Sequence, residues 1–465
     1  MRGAALRSGG YAAGIALSLI SAPILVRHLG VDGFGRYTTV IALVSLVAGL
    51  TEAGVNAIAV REYSIHGGAR RDQVMRQLIG VRLAMSSAAL FIAVGFALAA
   101  GYDADLVRGT VAVSLGFLLS TLQTLLAVPL QATLRFGWAT AIELARQAVT
   151  VVLIVGLAVS GASLLPFFFV PIVAGLVSVV ITVPRVRALT PLRPGFHVRE
   201  WGRLLRATLP WAIATALSAA YFRVGVIVMS LIASERETGY YATSFRIMEV
   251  LIMLPAVAFG AALPILSRAG AEDPERFDQA GRRMLELTII GATGLAVCVV
   301  LGAPIAVQIL AGAQGDPSIP VLRIQVLALL PSALAGAAGV QLLSIRREWS
   351  VVVGNVLGLL AAGGLTLVLG SILDAQGAAL ATLAAELVVS SVVVGALLRD
   401  RAAMRPALLT LVPVLAVAGA ACALLLVPGL PAVADLVIGA LVYVGGLRLT
   451  GRFPPEVFEA IGARR

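Results

Sequence analysis

The sequence predicts an all-α integral membrane protein that crosses the bilayer about fourteen times. Three observations carry that prediction. The 465-residue chain is 59% hydrophobic and only 13% charged, with a mean hydropathy of +0.98, too little charge to cover a water-soluble surface. Its apolar residues fall into runs of about 20, the length a helix needs to span the hydrocarbon core. All 35 basic residues are arginine, and they concentrate in alternate segments between those runs.

In chain order the runs cover residues 9–28, 37–60, 77–100, 107–132, 139–160, 164–184, 208–232, 240–266, 284–310, 319–344, 350–370, 377–398, 406–427 and 431–449. The first follows Arg2 and Arg7, as a signal peptide would. It ends at Arg27-His28 with no small-residue cleavage site, so it reads as an uncleaved span. Spans 5 and 6 are joined by Gly161-Ala162-Ser163, and the last pair by a turn around Pro428-Gly429. Pro23, Pro129, Pro171, Pro255 and Pro331 fall inside runs and predict bends. Gly10/Gly14 and Gly354/Gly358 have the spacing of close helix packing. No loop reaches about 30 residues, which leaves no room for a soluble domain. Within the basic segment 185–207, Arg199, Trp201, Arg203, Leu204, Leu205 and Arg206 read as an amphipathic stretch on the inner leaflet or as an ordinary basic loop.

The arginines fix the orientation. One set of alternating segments holds 26 of them, the other only Arg27, Arg36, Arg108, Arg236 and Arg323. The rich set, with both termini, is expected in the cytoplasm. The net charge of +11 therefore reflects topology, and no nucleic-acid partner is expected. Cys298 and Cys422 lie inside apolar runs, and His28, His66 and His197 fall in or near separate loops. Neither pattern predicts a disulfide framework or a metal site, and no cofactor is expected. The sequence offers no nucleophile–base pair and no phosphate-cradling glycine loop, so an enzyme is not expected.

The chain also repeats. Leu29-Gly30 leads to Gly35-Arg36-Tyr37, and Leu231-Ile232 leads to Gly239-Tyr240-Tyr241, 204 residues later. Arg135-Phe136-Gly137-Trp138 opens span 5, and Arg346-Arg347-Glu348-Trp349 opens span 11, 211 residues later. The expected organisation is an N-lobe at 1–184, the linker at 185–207, a C-lobe at 208–398, and two further spans with a tail at 399–465. Six spans per copy is an even number, so the lobes should be related by a pseudo-two-fold axis along the membrane normal.

Ionisable residues inside spans are costly, by about 3 kcal/mol near the centre, and need a partner, a wet cavity or a route to the interface. Arg82 and Glu286 lie about one turn from a cytoplasmic end, where snorkelling accounts for them, and Asp435 is similarly placed at an outer end. Glu143/Arg146 and Arg246/Glu249 are three apart on one helix face, which suits either mutual neutralisation or a cleft. Arg223 has no partner within its own turn, and Glu52 and Glu386 also lie within spans.

Spans 1 and 2 carry Leu29-Gly30, Phe34-Gly35-Arg36-Tyr37, Glu52-Ala53-Gly54 and Arg61-Glu62, with Gly239 to Arg246 as a second-lobe counterpart. With the fourteen-span plan, these motifs resemble the polysaccharide-transporter branch of the multidrug/oligosaccharidyl-lipid/polysaccharide (MOP) flippase superfamily, which often has Asp where this chain has Glu52. The resemblance implies a MATE-like fold with spans 1, 2, 7 and 8 around a central cleft. It implies movement of a polyprenyl-diphosphate-linked oligosaccharide from the inner to the outer leaflet by alternating access. Arg223, Arg246, Arg146 and Arg82 would then face the substrate, with Arg27 and Arg36 flanking the outer mouth; diphosphate oxygens match the guanidinium fork. Glu52, Glu249 and Glu386 are the candidates for ion or proton coupling. The same reading expects a monomer in the cell membrane, in contact with membrane lipids, polysaccharide polymerase or glycosyltransferases. The competing readings are a cation-coupled multidrug antiporter, whose cavity should be less basic, and a peptidoglycan lipid-precursor flippase, which shares the headgroup chemistry.

Overall fold

The structure, a computed structural model, describes residues 2–52, 55–133, 135–426 and 429–452; the side chains of 2–19, 50–52, 57, 58, 136, 198, 199, 203–215 and 218 fall outside the description. The readings placed on Glu52, Arg2, Arg7, Gly10/Gly14, Arg199, Arg203 to Arg206 and the tail beyond 452 lie outside the described side chains. Among the described residues every element is helical. Contacts divide the chain into two compact units, Met1–Gly239 and Tyr240–Arg465. That division falls one helix later than the linker at 185–207.

The first unit opens with α1 (Arg2–Glu52), followed by α2 (Val55–Ile65), α3 (Gly68–Ala99), α4 (Ala104–Leu126), α5 (Val128–Ala132), α6 (Phe136–Val159), α7 (Leu164–Phe167), α8 (Val170–Val186) and α9 (Val198–Ile232). A straight helix of 51 residues would be about 76 Å long, more than twice the bilayer core. α1 is instead two helices meeting at Gly30, whose φ of 70° and ψ of 175° break the helical path. Glycine takes that conformation without a Cβ penalty. The second half of α1 buries Val40, Leu43, Val44 and Val47, a single face by helical spacing. Against it lie Ala89, Ala93 and Ala97 of α3, Val113 of α4 and Phe168. Alanines one turn apart let the helices approach closely. Pro129 and Pro171 sit in the first turns of α5 and α8, so the predicted bends in spans 4 and 6 are helix restarts.

The linker is pinned to α3. Gly195 N–H donates to the Arg76 carbonyl at 2.7 Å, and Gln77 Oε1 accepts from His197 N–H and Trp201 Nε1, each at 3.0 Å. Gly80 allows this approach, because a Cβ there would lie 2.0 Å from the Gly195 carbonyl oxygen.

The helix α10 (Glu235–Glu272) begins just before the division. It is followed by α11 (Pro274–Ala311), α12 (Ser318–Gln325), α13 (Leu329–Ser344), α14 (Glu348–Asp400), α15 (Arg405–Leu408), α16 (Leu411–Cys422) and α17 (Ala432–Leu449). The 53-residue α14 is again two helices, broken at Asp374. Gly354 packs against Val393 across that hairpin. Met248 of α10 joins Ala296 and Val300 of α11 with Val326 and Leu329 to form a core of the second unit.

Among the described residues, eleven stretches are long and apolar enough to cross a membrane, and residues 219–232 of α9 form a shorter apolar one. Breaking α1 at Gly30 and α14 at Asp374, and counting α9, recovers the fourteen crossings that the sequence predicts. The chain is a multi-pass, all-α membrane protein.

Candidate functional site

The two in-span ion pairs form as the three-residue spacing predicts. On α6, Arg146 Nε donates to Glu143 Oε2 at 3.0 Å and its Nη2 to Oε1 at 2.5 Å. Gln147 Nε2 adds a third bond to Glu143 at 2.9 Å. This fork-on-carboxylate geometry offsets much of the penalty of holding two charges away from water. On α10, Arg246 Nη1 donates to Glu249 Oε2 at 2.9 Å, with the two side chains 34% and 18% exposed.

The Glu143–Arg146 pair opens onto a cavity of about 310 Å³ in the first unit. Its other polar lining is Ser45 from α1 and Ser120, Thr121, Gln123 and Thr124 from α4. Ser120 Oγ donates to the Gly116 carbonyl and Thr124 Oγ1 to the Ser120 carbonyl, both at 3.0 Å. Their protons are thus spent on the helix backbone, and their lone pairs remain to accept from a ligand. The site combines a fixed guanidinium with several hydroxyl acceptors. A polar run, Ser120-Thr121-Leu122-Gln123-Thr124, inside an apolar span is the sequence signal that would have found this cavity.

The remaining sequence-predicted residues are spread out. Arg82 is 2% exposed and enclosed by protein, which replaces the snorkelling expected of it. Glu286 is held by Arg283 at 3.1 Å. Glu386 is buried at 6% exposure in the second half of α14, Arg223 is half-buried on α9, Asp435 is half-buried on α17, and Arg27 is exposed. Among the described residues, no cluster of His, Cys, Asp or Glu is placed to hold a metal ion.

Arg36 is bound to carboxylates that sequence reasoning did not connect to it. Its Nη2 pairs with Asp103 Oδ2, and its Nη1 donates to Glu235 Oε1 at 2.9 Å. Beside it, Arg236 Nε reaches Asp32 Oδ1 at 3.3 Å. Tyr102 bonds Ser230 at 2.7 Å; burial pushes its phenol pKa up, and that hydrogen bond pulls it partly back. Two glycines make this assembly possible. A Cβ on Gly35 would lie 2.5 Å from the Glu235 carbonyl oxygen, and one on Gly239 would lie 2.2 Å from the Val31 carbonyl oxygen. Val31 and Glu235, Asp32 and Arg236, and Gly35 and Gly239 are each 204 residues apart, the offset of the repeat. The two close approaches exchange under that offset, and Asp32–Arg236 maps onto its own position, as a local two-fold axis requires.

Among the described residues the chain combines apolar membrane-spanning helices, charges paired inside those spans and, in the first unit, a polar cavity between helices. The chain belongs to the polysaccharide biosynthesis protein family, whose model matches residues 24–320. No curated protein matches it by sequence. Among solved structures, the chain is similar to the lipid II flippase MurJ in an inward closed conformation, at 15% identity and a TM-score of 0.77, covering 96% of this chain and 98% of that one. It is also similar to an inward-facing MATE-family multidrug resistance transporter of the MOP superfamily, at 12% identity and a TM-score of 0.68, covering 85% and 95%. A third is a MOP-superfamily transporter from Pyrococcus furiosus described as having a binding pocket of reverse polarity, at 13% identity and a TM-score of 0.54, covering 87% and 94%. These three likenesses are likenesses of fold.

Proposed function

We propose that the chain moves a polyprenyl-diphosphate-linked oligosaccharide from the inner to the outer leaflet of the cell membrane by alternating access. The observation that carries this reading is the Arg146–Glu143 pair beside a hydroxyl-lined cavity, in a member of a polysaccharide biosynthesis family. Guanidinium forks match phosphate oxygens, and hydroxyl acceptors suit a sugar. Arg223 and Arg246 are the further substrate contacts in this proposal, with Arg82 as an internal cation and Arg27 and Arg36 at the outer end. The arginine distribution supports cytoplasmic termini. Polysaccharide polymerase and glycosyltransferases are the proposed partners of a monomeric transporter.

Coupling follows from the ion pairs. Glu249 holds Arg246 while it is ionised. A proton or Na⁺ on Glu249 weakens that hold and favours exchange of the carboxylate for a substrate phosphate. Glu52 and Glu386 are the other acids assigned to coupling. A multidrug cation antiporter is disfavoured by the four arginines inside spans, Arg82, Arg146, Arg223 and Arg246.

The test is reconstitution with a fluorescent lipid-linked oligosaccharide whose outer-leaflet fraction is read with an impermeant quencher. Arg223→Ala and Arg246→Ala should insert normally and lose translocation by tenfold or more, the effect of about one lost charge-assisted contact. A Glu143→Gln/Arg146→Gln double variant should do the same without leaving an unpaired charge. Full translocation by all three, or transport of organic cations in place of the lipid diphosphate, overturns the proposal.

A further inference from the structure

An apolar groove of about 580 Å³ lies within the second unit, walled by Leu254, Phe259 and Ile265 of α10 and by Met284, Leu287 and Leu295 of α11. Leu254 and Ile265 are 58% and 64% exposed, large apolar side chains left open along one path. From Leu254 to Ile265 and from Met284 to Leu295 the groove follows its helices for about 17 Å at 1.5 Å per residue, just over half of the ~30 Å hydrocarbon core, which suits one lipid chain of a single leaflet. At Ile265 it meets a second cavity of about 420 Å³, lined by Arg268, Glu272, Asp273 and Arg276. That end belongs to the arginine-rich side of the chain.

The charges of the second cavity select its occupant. Two guanidinium groups and two carboxylates balance to zero. A diphosphate would bring about two negative charges to Arg268 and Arg276 and leave Glu272 and Asp273 with no cation to answer them. A singly anionic head would satisfy the arginines and leave the carboxylates unanswered. A zwitterion satisfies both sets. Asp273 is already fixed in place, because its Oδ1 caps α11 by accepting from Arg276 N–H at 3.0 Å. We propose that groove and charged cavity together hold one glycerophospholipid with a phosphoethanolamine head. Its acyl chain lies along the groove, its phosphate meets Arg268 and Arg276, and its ammonium faces Glu272 and Asp273. This site is independent of the translocation reading.

The full-length protein in nanodiscs of equimolar phosphatidylethanolamine and phosphatidylglycerol, released for native mass spectrometry, tests the site. One phosphatidylethanolamine should be retained over phosphatidylglycerol by about tenfold. Glu272→Gln/Asp273→Asn should shift the preference towards phosphatidylglycerol, Arg268→Glu/Arg276→Glu should lower retention of both lipids about tenfold, and Ala262→Trp should block the groove. The competition on the unsubstituted protein decides even where a variant folds poorly. Equal retention, a preference for phosphatidylglycerol, or displacement of phosphatidylethanolamine by an equimolar polyprenyl diphosphate overturns the assignment.

Discussion

Asp374 holds φ at 52° and ψ at −135°, where α14 folds back on itself. Residues with a Cβ rarely adopt that conformation, and holding it costs on the order of 1–3 kcal/mol. Glycine carries no such strain, although it loses about 0.5–1 kcal/mol through the entropy of the unfolded chain. Asp374→Gly should therefore stabilise the protein by about 1 kcal/mol, read as a higher midpoint of thermal unfolding in detergent, while Asp374→Ala should not. A lower midpoint for the glycine variant would show that the side chain, rather than the turn, matters there. At this scale the sequence was most legible where partners are close along one helix. Three-residue spacing foretold Glu143–Arg146 and Arg246–Glu249. It was silent on Arg36, whose carboxylates lie 67 and 199 residues away, because such pairs are created by tertiary packing alone.

Among the elements, the junction of α1 with the start of α10 depends on having no side chain at two positions. Gly→Ala within a helix ordinarily stabilises by up to about 1 kcal/mol. Gly239→Ala should do the reverse, because the methyl would meet the Val31 carbonyl oxygen at 2.2 Å and Val31 Cγ1 at 2.7 Å. Gly95→Ala in α3 is the matched comparison, since its added methyl meets nothing within 4 Å. Thermal unfolding should move down for the first and up for the second; movement of both in one direction would remove the close-packing argument. The spans themselves were readable, since their run length and arginine-bounded ends are local properties. The restarts at Pro129 and Pro171 were marked by proline, and the break in α1 by Gly30. The seat of the linker on Gln77 was not readable, because one glutamine inside a span announces neither its partner nor its direction.

For the molecule as a whole, the number of crossings decides which face each terminus occupies. Were α1 one crossing and α14 two, the total would be odd and the termini would lie on opposite sides. Lengths of 51 and 53 residues, breaks at Gly30 and Asp374, and a core about 30 Å thick make both elements hairpins, so the total is even. The arginine distribution, 26 in one set of alternating segments and five in the other, then gives the expected orientation, with both termini on the arginine-rich face. Single cysteines report this directly in a Cys298→Ala/Cys422→Ala background, because both native thiols are only half-buried. A cysteine at Asp374 or Arg108 should react with an impermeant maleimide in intact cells, whereas one at Arg347 or Arg70 should react only after permeabilisation. Labelling of positions 374 and 108 from opposite sides would break the even count. Labelling of all four with the faces exchanged would keep the hairpins but reverse the orientation, and with it the proposed inner-to-outer direction of transport.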